Sequence, residues 1–381
     1  MDQLLVQAAL DTGAGGILRI DLGALKANYQ KLCSLAAPTP VSAVVKADAY
    51  GLGVLSVCNV LFDAGCRHFF VALTCEAFEL RPELPEEARL YVLNGLTPGS
   101  ETRAAEAGLI PVLNSPQQLD AWAAVARVRS QTLPAQTLPA LLQVDTGMSR
   151  LGFMPADLEA LAEDKSRLEG LRIDFLMSHL ACADEPAHPA NLAQLETLEH
   201  LETLFPDVNV CFANSGGLFL GAEYHGDLCR PGIALYGGAP HADKANPMQP
   251  VIALDLAVIQ TRTVPAGTRI GYGGTVTTTA PKRLATLSAG YADGLPRALS
   301  NSGAVWFKGT RLPFIGRVSM DSIIIDIDAL PEGALKPGDF VELIGPNQTL
   351  DELAEAAGTI SYEILTSLGP RYHRHYLSPE G

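Results

Sequence analysis

Basic residues are scarce in this chain of 381 residues, which has 27 Lys and Arg against 42 Asp and Glu and a formal net charge of −15 at pH 7. Such a charge disfavours binding to a nucleic-acid backbone or to an anionic membrane surface, although a small anion can still be held in a locally positive pocket. We therefore expect neither nucleic acid nor a membrane as a partner.

Long hydrophobic runs are also missing, and no apolar window approaches the length that spans a bilayer. The chain starts with an acidic second residue and without a basic segment, and its first apolar stretch is interrupted by Gln7 and Asp11. We therefore expect no signal peptide.

Closely paired cysteines are absent as well. The cysteines are scattered without metal-ligand spacing, at Cys33, Cys58, Cys66, Cys75, Cys182, Cys211 and Cys229. They indicate reduced, mostly buried thiols in a cytoplasmic protein, and no metal site is predicted.

Hydrophobic residues, in contrast, make up 48% of the chain and charged ones 18%, which is typical of a well-packed globule. A chain of this length suits one large domain and one smaller one. The first two thirds repeat an apolar run of strand length, a turn and a helical pattern. Eight such runs predict a (β/α)8 barrel: VSAVV at 41, HFFVAL at 68, RLYVLN at 89, LIPVLN at 109, ALLQVD at 140, DFLMSH at 174, VNVCFAN at 208 and GIALYG at 232.

From about residue 250 the pattern changes to short β-branched runs separated by Gly and Pro, which predicts a mainly-β domain: LDLAVIQTRTV, TRIGYGGTVT, AVWFKG and SIIIDID. Helical patterns return at LDELAEAA and SYEILTSL, and the linker is predicted near NPMQP. The predicted domains are a barrel over 17–248 and a tail over 249–381. We expect residues 1–16 to pack on the tail as an extra strand.

A lysine ends the first predicted barrel strand, in VSAVVKADAY. Strand ends are where ligands bind in parallel α/β sheets, and a partly desolvated amine can form a Schiff base with an aldehyde. The alternative is that Lys46 merely reaches water.

Other predicted strands also end in polar residues, which a barrel would bring to one face: Asn94, Asn114, Asp145, His179 and Asn214. His179 could orient another group or shuttle a proton, or be satisfied structurally. Asn and Asp also favour turns, which offers a simpler explanation for part of this set.

Three loops near these strand ends carry groups suited to anions. Arg150 in VDTGMSRLG offers forked donors for a carboxylate or a phenolate oxygen, unless it is an ordinary surface arginine. Glycine-rich turns in FANSGG and CRPGIALYG, which hold Asn214 and Ser215 in the first and Arg230 and Gly232 in the second, could cradle a phosphate or simply be turns.

The tail contains two glycine-flanked turns, with Tyr272 in RIGYGGT and with Met320 and Asp321 in GRVSMDS. Glycines at such positions indicate close approach to a partner subunit or a ligand. An ordinary hairpin with a tyrosine at its edge is the alternative.

In this order, the chain contains VVKADAYG, VDTGMSRLG, SHLACAD, ANSG, RPGIALYG, GYGGT, GYADG and GRVSMD. This set resembles the alanine racemase family from about Ile17 to Tyr372. The resemblance implies a pyridoxal 5′-phosphate (PLP) enzyme that interconverts L- and D-alanine as a head-to-tail homodimer with shared active sites. It also implies a supply of D-alanine for the bacterial cell wall.

By resemblance, Lys46 is the Schiff-base lysine and the base for the D-face of the substrate, and Tyr272 of the other subunit is the opposite base, which acts on L-alanine. Removing a proton from one face and returning one to the other requires two such bases. Tyr272 must lose its proton to act, and we expect positive charge from Arg230 and His179 to lower its pKa.

The remaining roles are also implied by resemblance. Residues that hold the phosphate are Tyr50, Ser215, Gly232, Ile233 and Tyr362, with Asn214 in the same cradle. Arg230 faces the pyridine nitrogen with His179 hydrogen-bonded behind it. The substrate carboxylate meets Arg150, which also lies at the cofactor's phenolic oxygen, and the Met320 backbone N–H. Tyr291 and Asp321 line the entrance.

Two positions depart from the family pattern. Gln143 stands where the family often has a carbamylated lysine, and we predict that it fills that place next to Arg150, with or without a bound chloride. Leu52 replaces the histidine of the usual AYGHG, and we expect little effect.

Three alternatives remain open at this stage. One is a PLP-dependent racemase of broader or different specificity, for serine or a basic amino acid. Another is a non-catalytic PLP carrier built on the same barrel. Such carriers lack a tail domain, so the predicted tail argues against this alternative. The third is a cofactor-free aldolase that uses Lys46, which would leave the cradles and Tyr272 unexplained.

Overall fold

The computed structural model describes residues 3–132 and 137–378. The chain divides into two compact units. The first, called the tail unit below, contains residues 1–25, 236–238 and 248–381, and the second, the barrel unit, contains residues 26–235 and 239–247. The predicted ranges 17–248 and 249–381 stay a prediction.

The barrel unit is built on parallel strands that pair in chain order. In the described part of the chain these are seven, namely Ala43–Val44, His68–Val71, Arg89–Val92, Ile110–Leu113, Leu138–Gln143, Leu171–Met177 and Asn209–Cys211. Most of their residues are buried, as expected for strands covered on both faces. The predicted barrel-type fold is confirmed for these strands.

The eighth predicted strand, GIALYG at 232, is wrong. Residues 232–237 form turns, and the gap between the last strand and the first is bridged by the segment just before them. Arg230 N donates to Ala213 O at 2.7 Å on one side, and Val44 N donates to Pro231 O at 3.0 Å on the other. Since Pro231 has no N–H to donate, the segment makes single hydrogen bonds and an isolated bridge between Val41 and Cys229 instead of a regular ladder.

Helices connect the barrel strands: Leu22–Ala36, of which the residues from Lys26 on belong to this unit, Val54–Asp63, Thr74–Leu80, Glu101–Glu106, Pro116–Thr132, Pro155–Glu163 and Pro189–Glu202. Lys46–Gly51 forms a left-handed turn, and short 3₁₀ turns lie at Arg81–Glu83, Lys165–Leu168, Gly217–Phe219 and Ala222–Tyr224. Three of the helices start with proline, whose missing N–H costs nothing in the first turn. Trp122 of one helix is buried and donates to Pro139 O at 3.2 Å, which fixes this helix on its neighbouring strand.

The tail unit is a mostly antiparallel sheet with the order Thr310–Pro313, Ala304–Phe307, Phe340–Ile344, Ile252–Val264, Gly16–Asp21 and His373–Leu377. Lys282–Leu287 pairs with both Ile252–Val264 and Ile323–Asp326, and Arg269–Ile270 with Val276–Thr277. Short helices follow at Leu350–Ala356 and Ser361–Ser367, with 3₁₀ turns at Tyr272–Gly274, Tyr291–Asp293 and Arg297–Leu299. The predicted mainly-β tail is confirmed.

The amino-terminal segment belongs to the tail unit, but it forms a helix instead of the expected strand. The helix Gln3–Thr12 buries Leu5 and Ala9 against Ile17, Ala257 and Phe340. The strand comes next, at Gly16–Asp21, and lies between a parallel and an antiparallel neighbour. Among the described residues, every helix is too short or too polar to cross a bilayer.

Candidate active site

Lys46 follows the first barrel strand, as the sequence predicts. After it the backbone makes a left-handed turn, with φ between 52° and 57° from Ala47 to Tyr50. The turn is closed by Ala49 N donating to Val45 O at 2.9 Å and by Gly53 N donating to Asp48 O at 3.0 Å. Left-handed geometry costs an L-residue roughly 1–2 kcal/mol, so surrounding contacts must hold this turn.

The pKa of Lys46 is lowered, chiefly because burial removes water from the ammonium group. The positive charges of Arg150 and Arg230 lower it further, and the carboxylate of Glu76 acts in the opposite direction. A lysine in this environment holds more unprotonated amine near neutral pH than an exposed one.

The buried Arg230 and the partly buried His179 form a hydrogen-bonded pair. The guanidinium Nη2 of Arg230 lies 2.9 Å from His179 Nδ1 and donates to Ser178 O at 3.1 Å, while Nη1 donates to Cys211 Sγ at 3.3 Å. Because arginine can only donate, His179 Nδ1 accepts and the ring is neutral. Burial, then Arg230, Arg150 and Lys46, hold the pKa of His179 well below its usual value.

This neutral ring corrects one expectation. His179 cannot supply the positive charge that the sequence argument assigned to it, since its protonated form is disfavoured by burial and by three neighbouring cations. Of the two residues proposed as sources of positive charge, only Arg230 can serve.

Arg150 stands on a loop that is shaped by Asp145. The Asp145 carboxylate accepts from the backbone N–H groups of Gly147, Met148 and Ser149 at 2.9, 2.9 and 3.1 Å. Ser149 takes the left-handed conformation, with φ of 56°. Asp145 therefore serves the turn, as the simpler explanation proposed, and presents Arg150 on an exposed tip.

Gln143 supports the other side of this loop. Its amide Nε2 donates to the carbonyl oxygen of Leu151 at 3.1 Å. The amide thus contacts the backbone next to Arg150, and within the described residues no hydrogen bond joins it to the guanidinium itself. Leu52, the second departure, is fully buried.

The two glycine-rich loops meet at Ser215. Its hydroxyl oxygen accepts from Gly232 N at 2.9 Å and from Ala234 N at 3.2 Å, so its proton is left to donate to a ligand. A Cβ on Gly232 would lie 2.2 Å from the Tyr50 hydroxyl oxygen, so any side chain at this position would force the tyrosine or the loop to shift. Ile233 is buried beside this contact.

Asn214 holds the backbone of the same loop. Its Oδ1 accepts from Gly217 N at 2.9 Å, and its Nδ2 donates to Leu180 O at 3.2 Å. Both ends of this amide are thus committed to loop structure. In Asn114, Nδ2 donates to Val112 O at 2.9 Å and to Leu93 O at 3.0 Å, while the buried Oδ1 has no hydrogen-bond partner among the described residues. The turn explanation suits both asparagines.

The remaining predicted residues lie in the tail unit. Tyr272 begins the turn between the paired strands Arg269–Ile270 and Val276–Thr277, where Gly271 and Gly273 have positive φ. This matches the predicted hairpin. The tyrosine side chain is 72% exposed within the chain, which is unusual for a large aromatic group.

Two other tail loops are tied together. Tyr291 N donates to Ser319 O and Ala292 N donates to Met320 O, both at 3.0 Å. Met320 is half-exposed, and among the described residues nothing accepts from its backbone N–H. Tyr362, on the helix Ser361–Ser367, is 40% exposed.

Asp321 is held by an arginine that sequence reasoning missed. Arg371 grips the buried Asp293 with two hydrogen bonds, at 2.6 and 2.8 Å, and reaches Asp321 with a third at 2.8 Å. The Asp293 carboxylate also accepts from Gly290 N at 2.8 Å. Arg371 therefore connects the GYADG and SMD segments.

Two family models match, the alanine racemase N-terminal domain over residues 20–240 and the alanine racemase C-terminal domain over residues 251–376. Together they cover most of the chain. The chain belongs to the alanine racemase family.

Individual relatives agree with the alanine racemase family assignment. A protein of Agrobacterium fabrum named "Alanine racemase, catabolic" is 57% identical over 379 residues, covering 100% of this chain and 96% of that protein. One of Rhizobium johnstonii with the same name is 55% identical, covering 97% of each chain. The crystal structure of alanine racemase from Bartonella henselae with covalently bound pyridoxal phosphate matches with a TM-score of 0.90 and 44% identity, covering 96% of this chain and 100% of that one.

Sequence reasoning also missed two other residues around the predicted alanine racemase site. Cys211 contacts Arg230, and Glu76 contacts the backbone after Lys46. Cys211 lies in the middle of the predicted strand VNVCFAN, where it counts as one more apolar residue, although it ends the observed strand Asn209–Cys211. Nothing in the sequence distinguishes Glu76 from any glutamate in the first turn of a helix.

Proposed function

We propose that this chain is a PLP-dependent alanine racemase that transfers the α-proton with two groups, Lys46 of one copy and Tyr272 of a second copy. The observation that carries the proposal is the cluster of Lys46, Arg150, His179 and Arg230, in which burial and positive charge lower the lysine pKa. Family membership supplies the substrate class, a small amino acid.

The barrel residues fit the cofactor of the family. Lys46 Nζ would hold its aldehyde carbon, and the phosphate would rest on the Ser215 hydroxyl, the loop at Gly232 and Ile233, and the Tyr50 hydroxyl. When bound, PLP supplies a conjugated ring that delocalises the electrons left at Cα as the proton departs. The proposal also gives Tyr362 a place at the phosphate and keeps Asn214 as the support of the loop.

Lys46 is suited to both of its proposed tasks. An amine with a lowered pKa can attack an aldehyde carbon near neutral pH. With PLP bound, Nζ would take a proton from the D-face of the substrate and return one there, because burial and the positive charges of Arg150 and Arg230 lower the pKa of Lys46 towards neutral pH.

Arg230 is proposed to face the cofactor's ring nitrogen. A guanidinium donates a hydrogen bond but does not give up its proton, so it leaves this nitrogen unprotonated and the ring a weaker electron sink. Neutral His179, by accepting from Arg230 Nη2 at 2.9 Å, fixes the direction of the guanidinium. Side reactions that need a stronger electron sink are thereby suppressed.

The substrate carboxylate is proposed to bind Arg150 and the backbone N–H of Met320. The forked donors of an arginine suit a carboxylate, and Asp145 and Gln143 both stabilise the loop that presents it. The second proposed donor is the Met320 backbone N–H, which has no acceptor in the part of the chain that the structure describes. Tyr291 and Asp321 are proposed to line the entrance, with Arg371 holding Asp321 in place.

We propose a homodimer in which a second copy supplies Tyr272 to the site of the first. Tyr272 is largely exposed and Met320 half-exposed within one chain, which is consistent with a surface covered by a second copy. We propose a cytoplasmic location, because the cysteines, all within the described residues, are free thiols.

The proposed metabolic role differs from the expectation of cell-wall supply. The relatives from Agrobacterium fabrum and Rhizobium johnstonii are both named catabolic, which favours the breakdown of alanine. A racemase works in both directions, so the chemistry allows either role. Growth of a deletion strain decides: loss of growth on L-alanine or on D-alanine as carbon source supports catabolism, and a requirement for added D-alanine on other carbon sources contradicts it.

Hydrogen exchange at Cα tests the two-base proposal. Purified protein with PLP is incubated in D₂O with L-alanine or D-alanine, and deuterium at Cα and the opposite enantiomer are measured. Wild type should exchange and racemise both enantiomers. Tyr272→Phe should lose exchange of L-alanine by at least about a hundredfold, and keep residual exchange of D-alanine through Lys46, because general-base catalysis contributes about 10²–10⁴-fold.

Tyr376→Phe, in the last strand of the tail, is the matched control and should behave as wild type. L-serine and L-lysine in the same assay test the alternative of a broader specificity. If wild type binds PLP but exchanges neither enantiomer of alanine, the proposed function is wrong and the result favours a non-catalytic PLP carrier.

A further inference from the structure

Glu76 makes an unusual set of contacts beside the left-handed turn after Lys46. Its carboxylate Oε2 accepts from Ala72 N and Leu73 N, both at 2.8 Å, and its Oε1 accepts from Ala47 N at 2.6 Å. One side chain therefore connects Ala47, the first residue after Lys46, to the segment between the strand His68–Val71 and the helix Thr74–Leu80.

The contacts of Oε2 have an ordinary explanation. Glu76 is the third residue of the helix Thr74–Leu80, and a glutamate at this position commonly reaches back to the N–H of the residue before the helix. This explanation does not cover Oε1, which points to Ala47 in a different segment of the barrel.

The turn that Oε1 reaches needs such a restraint. Four consecutive residues, Ala47–Tyr50, hold a conformation that L-residues rarely adopt, and this turn joins Lys46 to Tyr50, whose hydroxyl lies against Gly232. A shift at Ala47 would move the lysine and the tyrosine relative to each other.

We propose that Glu76 is a positioning residue for Lys46, acting through the Oε1 contact with Ala47 N to hold the left-handed turn in the geometry that cofactor binding needs. The inference rests on the proposed function of Lys46 and Tyr50. It assigns Glu76 a role that helix capping alone does not require.

The charge of Glu76 adds a second effect that can be measured separately. The charged or titratable groups around Lys46 are Arg150, Arg230, His179 and Glu76, and the carboxylate is the group that opposes the lowering of the Lys46 pKa. Removing its charge should lower the Lys46 pKa further, because the ammonium form loses its favourable partner.

Glutamine separates these roles. It can still cap the helix with its single amide oxygen, but its NH₂ group cannot accept from Ala47 N, and it carries no charge. Glu76→Asp keeps the charge and shortens the reach. Glu352→Gln is the matched control, because Glu352 caps the helix Leu350–Ala356 in the tail unit, accepting from Thr349 N at 2.7 Å.

Each protein is studied without and with PLP by three measurements. Hydrogen–deuterium exchange follows the peptide that contains residues 46–52 in the cofactor-free protein. Titration with PLP gives its dissociation constant. Borohydride trapping with peptide mapping then measures labelling of Lys46 as a function of pH.

In Glu76→Gln we expect exchange in this peptide to rise about tenfold or more and the PLP dissociation constant to rise about tenfold, since a hydrogen bond to a charged group is lost. The pH midpoint of Lys46 labelling should shift to lower pH. In Glu76→Asp exchange and the dissociation constant should rise while the midpoint stays near wild type. Glu352→Gln should match wild type in all three.

The outcomes distinguish the two proposals. If PLP does not label Lys46 in wild type, the proposed function fails. If wild type is labelled at Lys46 but Glu76→Gln matches it within twofold in exchange, affinity and midpoint, the role of Glu76 is wrong. If Glu76→Gln does not fold, Glu76→Asp carries the test, and unchanged exchange and affinity in that variant overturn the inference.

Discussion

Gly232 is the residue of the candidate site that leaves least room for change. A methyl group there would lie 2.2 Å from the Tyr50 hydroxyl oxygen and 3.0 Å from the ring carbon that carries it. Overpacking of this kind typically costs about 1–3 kcal/mol, and here it would act on two residues proposed to hold the phosphate. We predict that Gly232→Ala raises the PLP dissociation constant about ten- to a hundredfold, as measured by titration of the cofactor-free protein.

The double variant supplies the control for this prediction. Tyr50→Phe removes the hydroxyl that the new methyl group would meet, and it also loses one proposed phosphate contact. The affinity loss of Gly232→Ala/Tyr50→Phe should therefore be smaller than the sum of the two single losses. Additive losses, or a Gly232→Ala protein that binds PLP as wild type does, would show that this contact is not tight.

For single residues, the sequence predicts which chemical groups the site contains better than it predicts their hydrogen-bond partners and protonation states. An amine at a strand end and donors on glycine-rich loops can be recognised from spacing and resemblance, and the structure brings Lys46, Arg150, His179 and Arg230 together. The neutral state of His179 could not be predicted, because it depends on burial and on surrounding cations. Glu76 could not be found either, since its partners are backbone N–H groups.

Among the elements, the barrel strands were predictable where both faces are buried, because a continuous apolar run is then required. The prediction of an eighth strand was wrong, although GIALYG is as apolar as the other runs. This segment follows Pro231 and forms turns, in which Gly232 N donates to the Ser215 hydroxyl oxygen. The strand Gly16–Asp21 was placed too early in the chain, because its partners Ile252–Val264 and His373–Leu377 lie hundreds of residues away. Local pattern carries no signal for such pairing.

The strand His68–Val71 gives a pH prediction. His68 at its start accepts from, or donates to, the Tyr91 hydroxyl at 2.9 Å, and burial, together with Arg89, lowers its pKa to about 4. Since the unfolded histidine titrates near 6.5, acid favours the unfolded chain: the stabilisation is present above about pH 6.5 and is lost as the pH falls toward 4. Between pH 7.5 and pH 5 this amounts to about 2 kcal/mol.

We therefore predict that His68→Gln, which can keep a hydrogen bond to Tyr91 but does not titrate, shows a smaller drop in melting temperature between pH 7.5 and pH 5 than wild type. The exposed His200, changed to glutamine, is the matched control and should leave the drop unchanged. Equal drops in wild type and His68→Gln would mean that His68 does not carry this pH dependence.

For the whole molecule, the order of apolar runs, helical patterns and short β-branched runs predicts a parallel barrel followed by a mainly-β tail, and both are present. What a single sequence leaves open is where the second catalytic group comes from. Tyr272 lies 72% exposed on a turn of the tail unit, and Lys46 lies in the barrel unit. The central claim is that a complete site takes Lys46 from one copy and Tyr272 from the other.

Complementation between two inactive variants tests this claim most directly. Lys46→Ala and Tyr272→Phe chains with different tags are co-expressed, and the species that carries both tags is purified and assayed for conversion of L-alanine to D-alanine. In a mixed dimer one site pairs the intact Lys46 of one chain with the intact Tyr272 of the other, so we predict about half the wild-type activity per dimer. A mixed species as inactive as its parents, or no species with both tags, would contradict the account.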